Sequence, residues 1–233
     1  MIALFDFDGT IAETGPTVSE CLALSIEKTL GRRPDAAALG RAMGSGAVLA
    51  GLFEQLVGTV SAGTMATLVD DYLAFYPDVD KRLTQLYDGV GEALDALRAA
   101  GIGLAIVTNK QTLPTKQSLA HFRLEEYFPL VIGAEAGLAG KPQAASFHQR
   151  IAPHYHGLAP QDFVMIGDTA TDIRFAKASG LASIWVSYGH GDAALCAGLL
   201  PDATAADMKS VARLVLTMQD RASPEATGLI TAK

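Results

Sequence analysis

The chain has 233 residues, 49% of them apolar, enough for one large α/β domain or a core with a modest inserted module. Its 18 basic and 25 acidic side chains leave a formal charge of −7, which argues against general electrostatic binding to a nucleic-acid backbone. No run approaches the roughly 20 apolar residues of a membrane span and no basic leader opens the chain, so no membrane partner and a cytoplasmic setting are expected.

Ile2 to Phe5 is a short apolar run, the pattern of a strand buried on both faces, and it ends at Asp6-Phe7-Asp8-Gly9-Thr10. From about Thr17 the character turns helical. Thr17-x-x-Glu20 predicts a capping box, and Val18, Leu22, Ile26 and Leu30 recur at helical spacing up to Gly31. Asp35 caps a second, alanine-rich helix ending near Gly44. Val48 to Val57 marks a third apolar face, and Met65 to Leu73 a fourth, which Pro77 should stop. This stretch reads as a small helical bundle inserted after the first strand.

Beyond residue 82 strands and helices alternate. The strands are Leu104–Val107, Leu130–Ile132, Phe163–Ile166 and Ser183–Val186. The helices are expected near Val90–Leu97, Pro114–Phe122, Ala144–Ile151, Ala170–Ser179, Ala193–Leu199 and Asp207–Met218. Such alternation implies a parallel sheet. The expected fold class is therefore α/β, a Rossmann-like parallel sheet core with an inserted all-helical cap. The core takes residues 1–14 and 83–220, the cap 15–82, and 221–233 form a flexible tail. Cys21 and Cys196 lie far apart without metal-ligand spacing and read as reduced, partly buried thiols.

In open parallel sheets functional groups gather where strands end. Four such ends carry unusual polar residues: Asp6 and Asp8, then Thr108-Asn109-Lys110, then Lys141-Pro142, then Asp168 with Asp172. In order and approximate spacing this set resembles the four motifs of the haloacid dehalogenase superfamily of phosphatases, and it looks closest to the phosphoglycolate phosphatase-like branch. The likeness runs from about residue 1 to 215. It implies a Mg²⁺-dependent phosphatase acting on a small phosphorylated metabolite, with the helical insert as its cap.

The residues support that chemistry. A carboxylate, here Asp6, can attack phosphorus and divide one difficult displacement into two easier ones. A divalent cation screens the repulsion between two anions, and Mg²⁺ favours carboxylate and phosphate oxygens. Asp6 and Asp168 are the expected side-chain ligands, and the resemblance adds the backbone carbonyl of Asp8. The Asp8 side chain is placed to move a proton at the leaving oxygen. Lys141 supplies a point charge to the phosphoryl group, Thr108 a hydroxyl, and Asp172 orients Lys141 or a metal-bound water. Asn109 and Lys110 read equally well as pocket-lining residues or as a solvated loop. In the cap, Arg41-x-x-Gly44-x-Gly46 is where the resemblance places a specificity loop, with Arg41 an anchor for a second anionic group. Glu13 stands near the hinge, where relatives often carry Asp.

The His154-Tyr155-His156 stretch reads as an ordinary polar loop, and Trp185 as core. His190 follows a strand end, within reach of a pocket rim. A β-phosphoglucomutase-like transferase shares the four motifs and stays open, as does a non-catalytic binding protein on the same fold. A metal-free dehalogenase leaves Asp8 and Asp168 unexplained, and a phosphonate-cleaving enzyme lacks its cap lysine between Arg41 and Gly51. The substrate and the oligomeric state, monomer or homodimer, are not read from the sequence.

Overall fold

The structure, a computed structural model, describes residues 1–45 and 47–222. The chain opens with strand β1 (Ile2–Phe5), in which Ala3, Leu4 and Phe5 are fully buried. A two-residue strand, β2 (Ala12–Glu13), leads into four helices: α1 (Gly15–Leu30), α2 (Ala36–Met43), α3 (Leu49–Val57) and α4 (Ala62–Leu83). The chain then returns through β3 (Gln85–Leu86), which pairs antiparallel with β2. Helix α5 (Val90–Ala99), β4 (Gly103–Gln111), α6 (Thr112–His121) and β5 (Leu130–Ala134) follow. After α7 (Ala144–Ser146) come β6 (Phe163–Gly167), α8 (Ala170–Ser179), β7 (Ala182–Val186), α9 (Ala193–Gly198), β8 (Ala203–Ala205) and α10 (Met208–Ala222).

Six strands form one parallel sheet in the order β5-β4-β1-β6-β7-β8. The expected α/β core is thus present, and it explains why Ile2 to Phe5 is apolar throughout: β1 lies between β4 and β6 with helices packed over both faces. From β1 the chain builds outward to β4 and β5, then crosses back to β6 on the other side. The carboxyl ends of β1, β4 and β6 therefore lie together at the switch in strand order, the usual crevice for a ligand.

The helices α1 to α4 enclose an apolar cluster of their own, with Leu22, Ile26, Phe53 and Leu68 almost wholly buried. The Phe53 and Tyr72 rings meet edge to face at 6.3 Å. Asp35 accepts from the Ala38 amide and caps α2 as its position predicts.

Two cap predictions fail. The capping box at Thr17 does not form, because α1 begins at Gly15 with Pro16 in its first turn, where a fixed φ suits the helix. Thr17 lies inside the helix, and its hydroxyl is hydrogen-bonded to that of Thr84 at 2.7 Å. Pro77 does not stop α4, which continues six residues further to Leu83. Burial of Tyr76, Val79 and Asp80 around the proline offsets its missing N–H. The predicted helix at Ala144–Ile151 is also irregular: α7 gives way to a π-helical turn, Phe147–Ile151. Both ends of that turn are buried, Phe147 edge to face with Phe163.

The short strands β2, β3 and β8 were not expected. Of the predicted tail, Arg221 and Ala222 complete α10, and the remainder lies outside the described residues, as does Gly46.

Candidate active site

The nucleophile candidate, Asp6, follows directly on β1, and its position is fixed by a hydrogen bond from the Phe7 amide to Oδ1 at 2.8 Å. The Thr108 hydroxyl, on β4, acts to lower the pKa of that carboxylate. Lys141 Nζ lies 3.1 Å from Asp6 Oδ1 and 2.5 Å from Asp172 Oδ1. All four side chains are buried. Asp172 sits in the first turn of α8. Its second oxygen accepts from the Thr169 amide at 3.0 Å and from the Thr169 hydroxyl at 2.8 Å, closing a capping box. Asp172 thus ties the ammonium to the start of a helix.

Asn109 does not face away into solvent. Its side-chain amide donates to the Lys141 carbonyl at 3.0 Å, and its oxygen accepts from the Lys141 amide at 3.1 Å. This two-way clamp holds the Lys141 loop against the end of β4, so Asn109 lines the cavity while fixing the backbone of the lysine.

Asp168 follows β6 and is 1% exposed. The His190 amide donates to its Oδ2 at 2.7 Å, whereas Oδ1 is buried without a hydrogen-bond partner. Asp6, Asp168 and Asp172 offer carboxylate oxygens that all lie within 4.8 Å of one another. Buried carboxylates this close, one with an orphaned oxygen, fit a hard divalent cation. Asp172 has both oxygens engaged by Lys141 and Thr169, whereas Asp168 Oδ1 stands without a partner. The Asp8 carboxylate is not part of this cluster and faces Lys110 Nζ at 3.4 Å.

The electrostatics follow from this crowding. Burial pushes Asp6 up to about 6, with Asp172 and Asp8 adding to the rise against the lowering pull of Lys141. Asp168 is raised well above the carboxylate range, again chiefly by burial and then by Asp172 and Asp6. For Lys141 burial acts to lower the pKa, but Asp172 and Asp6 outweigh it and the ammonium is held above its ordinary range.

These groups open into a cavity of about 110 Å³ between the sheet and the helices. Asp6, Asp8, Thr108, Lys141 and Asp168 line its floor, as the motifs predict. Arg41 does not join them. It is exposed and lines a separate depression beside Gly44, Ser45 and Asp192, because its position on α2 turns it to the outer surface.

Two residues carry more than sequence reasoning assigned. Lys110 is not solvated: its side chain is 7% exposed, with the ammonium 4.7 Å from the Phe7 ring centroid and 4.5 Å from that of Tyr76. Thr108 and Lys110 lie where the register of β4 shifts against β5, and both line the cavity. His190 bonds Glu13 Oε1 through Nε2 at 2.7 Å while its amide holds Asp168. Glu13 also accepts from the Gly15 amide at 2.8 Å and the Tyr87 hydroxyl at 3.1 Å. Burial acts to raise the Glu13 pKa, but the His190 ring, the Gly15 amide and the Tyr87 hydroxyl together outweigh it and the net shift is downward. No local pattern marks His190, whose role depends on two loops meeting.

Comparison with known proteins agrees with this geometry. The chain is 32% identical over 200 residues to a phosphoglycolate phosphatase of Colwellia psychrerythraea, covering 81% of this chain and 85% of that protein. A phosphoglycolate phosphatase of Neisseria meningitidis is 29% identical over 201 residues, 82% of each chain. Among solved structures, a predicted phosphoglycolate phosphatase from Haemophilus somnus superposes with a TM-score of 0.81 at 23% identity, over 92% of this chain and 97% of that one. The sequence model of the haloacid dehalogenase-like hydrolases matches residues 3–186, and the chain belongs to that family.

Proposed function

We propose that the protein is a Mg²⁺-dependent phosphomonoesterase that hydrolyses a small phosphorylated metabolite through a phosphoaspartate on Asp6. The observation that carries this reading is the Asp6–Asp168 pair, with its orphaned Asp168 oxygen and with Asp6 3.1 Å from the buried Lys141 ammonium. The relatives' names, phosphoglycolate phosphatases, support the reaction class. The cavity is well under the roughly 300–1,000 Å³ of drug-sized ligand sites, which favours a small substrate.

Asp6 and Asp168, with the Asp8 carbonyl, would hold Mg²⁺, which when bound neutralises phosphoryl charge and polarises its oxygens. Asp6 Oδ forms a bond to phosphorus as the ester oxygen departs, and Asp8 gives that oxygen a proton. Asp8 then takes a proton from water, the water oxygen attacks phosphorus, and the bond to Asp6 breaks to free inorganic phosphate. Lys141 and the Thr108 hydroxyl meet charge on the phosphoryl oxygens with donors already in place. The helices of residues 15–82 would act as a cap over this reaction. No single described helix is long and apolar enough to cross a membrane, and we read the enzyme as acting on a soluble metabolite in the cytoplasm.

Phosphate release from small phosphomonoesters with and without Mg²⁺, beside Asp6→Asn, tests the reading. Metal-dependent release lost in Asp6→Asn, with a phosphoryl adduct on Asp6 after acid quench, is expected. Transfer to a second sugar phosphate in place of release would convert the reading to a mutase.

A further inference from the structure

The cavity is two-sided. Its floor is charged, but the wall supplied by the cap is not. Val18, Met43, Leu49, Leu52, Tyr72 and Leu73 form that wall, from all four cap helices. Among the described residues no cap arginine or lysine reaches the cavity, and Arg41 lines a different surface.

Two lysines reach the floor, and the His190 ring beside them is held by Glu13. Lys141 is committed to the nucleophile and Asp172. Lys110 is the other, and an ammonium has three N–H bonds to give. All three have acceptors: Asp8 Oδ1 at 3.4 Å, Ser118 Oγ at 3.3 Å and the Tyr76 hydroxyl. Behind those hydroxyls sits the buried Asp80, which accepts from Ser118 at 2.9 Å and from Tyr76 at 3.1 Å. One positive charge thus serves two carboxylates, Asp8 and Asp80. A second anionic group on a substrate would lose its water against an apolar wall and find no uncommitted cation.

We infer that the substrate is the monophosphate ester of a small, uncharged, largely apolar alcohol, and that the site discriminates against esters with a carboxylate in the leaving group, phosphoglycolate included. This rests on the phosphomonoesterase reading and departs from the activity named for the relatives. The alcohol's carbon skeleton packs on the Leu49–Leu73 wall. Each methylene buried there strengthens binding, and a carboxylate at the same place weakens it.

The test is kcat/KM with Mg²⁺ for propyl phosphate and isobutyl phosphate beside 2-phosphoglycolate. At least a tenfold advantage for the alkyl esters is expected. Leu73→Lys, whose stem can follow the wall while its charge enters the cavity, should shift the ratio toward phosphoglycolate by tenfold or more. Val18→Lys on the facing helix provides a second variant should the first not fold. Phosphoglycolate turned over as well as the alkyl esters, or a ratio unmoved in a folded lysine variant, overturns the inference and leaves the phosphatase standing. No phosphate from any ester overturns both.

Discussion

At the scale of single residues, the site is held together against its own repulsion. An Asp6 carboxyl that keeps its proton to about 6 in place of 3.8 carries roughly 3 kcal/mol of unfavourable energy when ionised. The sign follows: a folded-state pKa above the unfolded one favours folding at low pH. That advantage is complete below about 4 and is lost as pH rises through 6. Metal-free Asp6→Asn should therefore unfold several degrees above the wild type at pH 7.5, read by thermal denaturation. Mg²⁺ should raise the wild-type Tm while leaving the variant nearly unmoved, because the cation loses a donor. Since protons and metal compete for Asp6, the Mg²⁺ gain should shrink as pH falls below about 6. Asp172 holds the Lys141 ammonium through one ion pair, which makes it a positioning candidate. Asp172→Asn should lower kcat about tenfold to a hundredfold with little change in KM, since the ammonium is then balanced by Asp6 alone.

At the scale of elements, what was legible depended on how much pattern each element contains. Strands β1, β4, β6 and β7 announce themselves as apolar runs, and the polar residues at their ends fall where such runs stop. Asp6, Thr108 and Asp168 could thus be placed together from sequence, whereas Lys141 does not stand at a strand end as expected: β5 stops at Ala134 and the lysine lies in the loop beyond it. Strands β2 and β3 are two residues each, too short for any periodicity, although they pin both chain crossings between sheet and helices. Arg41 could be located on a helix, but the direction it faces depends on how α2 packs. Pro77 was misread because propensity is a local rule and α4 is held by its buried neighbours. The proline still carries a cost. Pro77→Ala supplies the missing N–H to the Leu73 carbonyl and should stabilise the fold by about 1–3 kcal/mol, visible as a rise in Tm.

At the scale of the molecule, two apolar interiors are joined by a thin polar seam. The cluster inside α1 to α4 shares no buried residue with those on the faces of the sheet. Between them run Asp80–Ser118 and Tyr76–Lys110, together with the β2–β3 ribbon. The contacts that hold the helices to the sheet are thus polar and charged, where the two interiors are each apolar.

The place of β1 between β4 and β6, inside the sheet, has a consequence in amide exchange. The amides of Leu4 and Phe5 can meet deuterium only when the whole sheet comes apart, so they should be among the slowest in the chain. Those of Glu13 and Gln85, in a ribbon two residues long, should exchange through local opening orders of magnitude sooner. Labelling followed by peptide mass spectrometry would read both at once. The strand that leads to Asp6 should thus be far better protected than the ribbon that leads to the helices, so the ribbon can open without disturbing the strand.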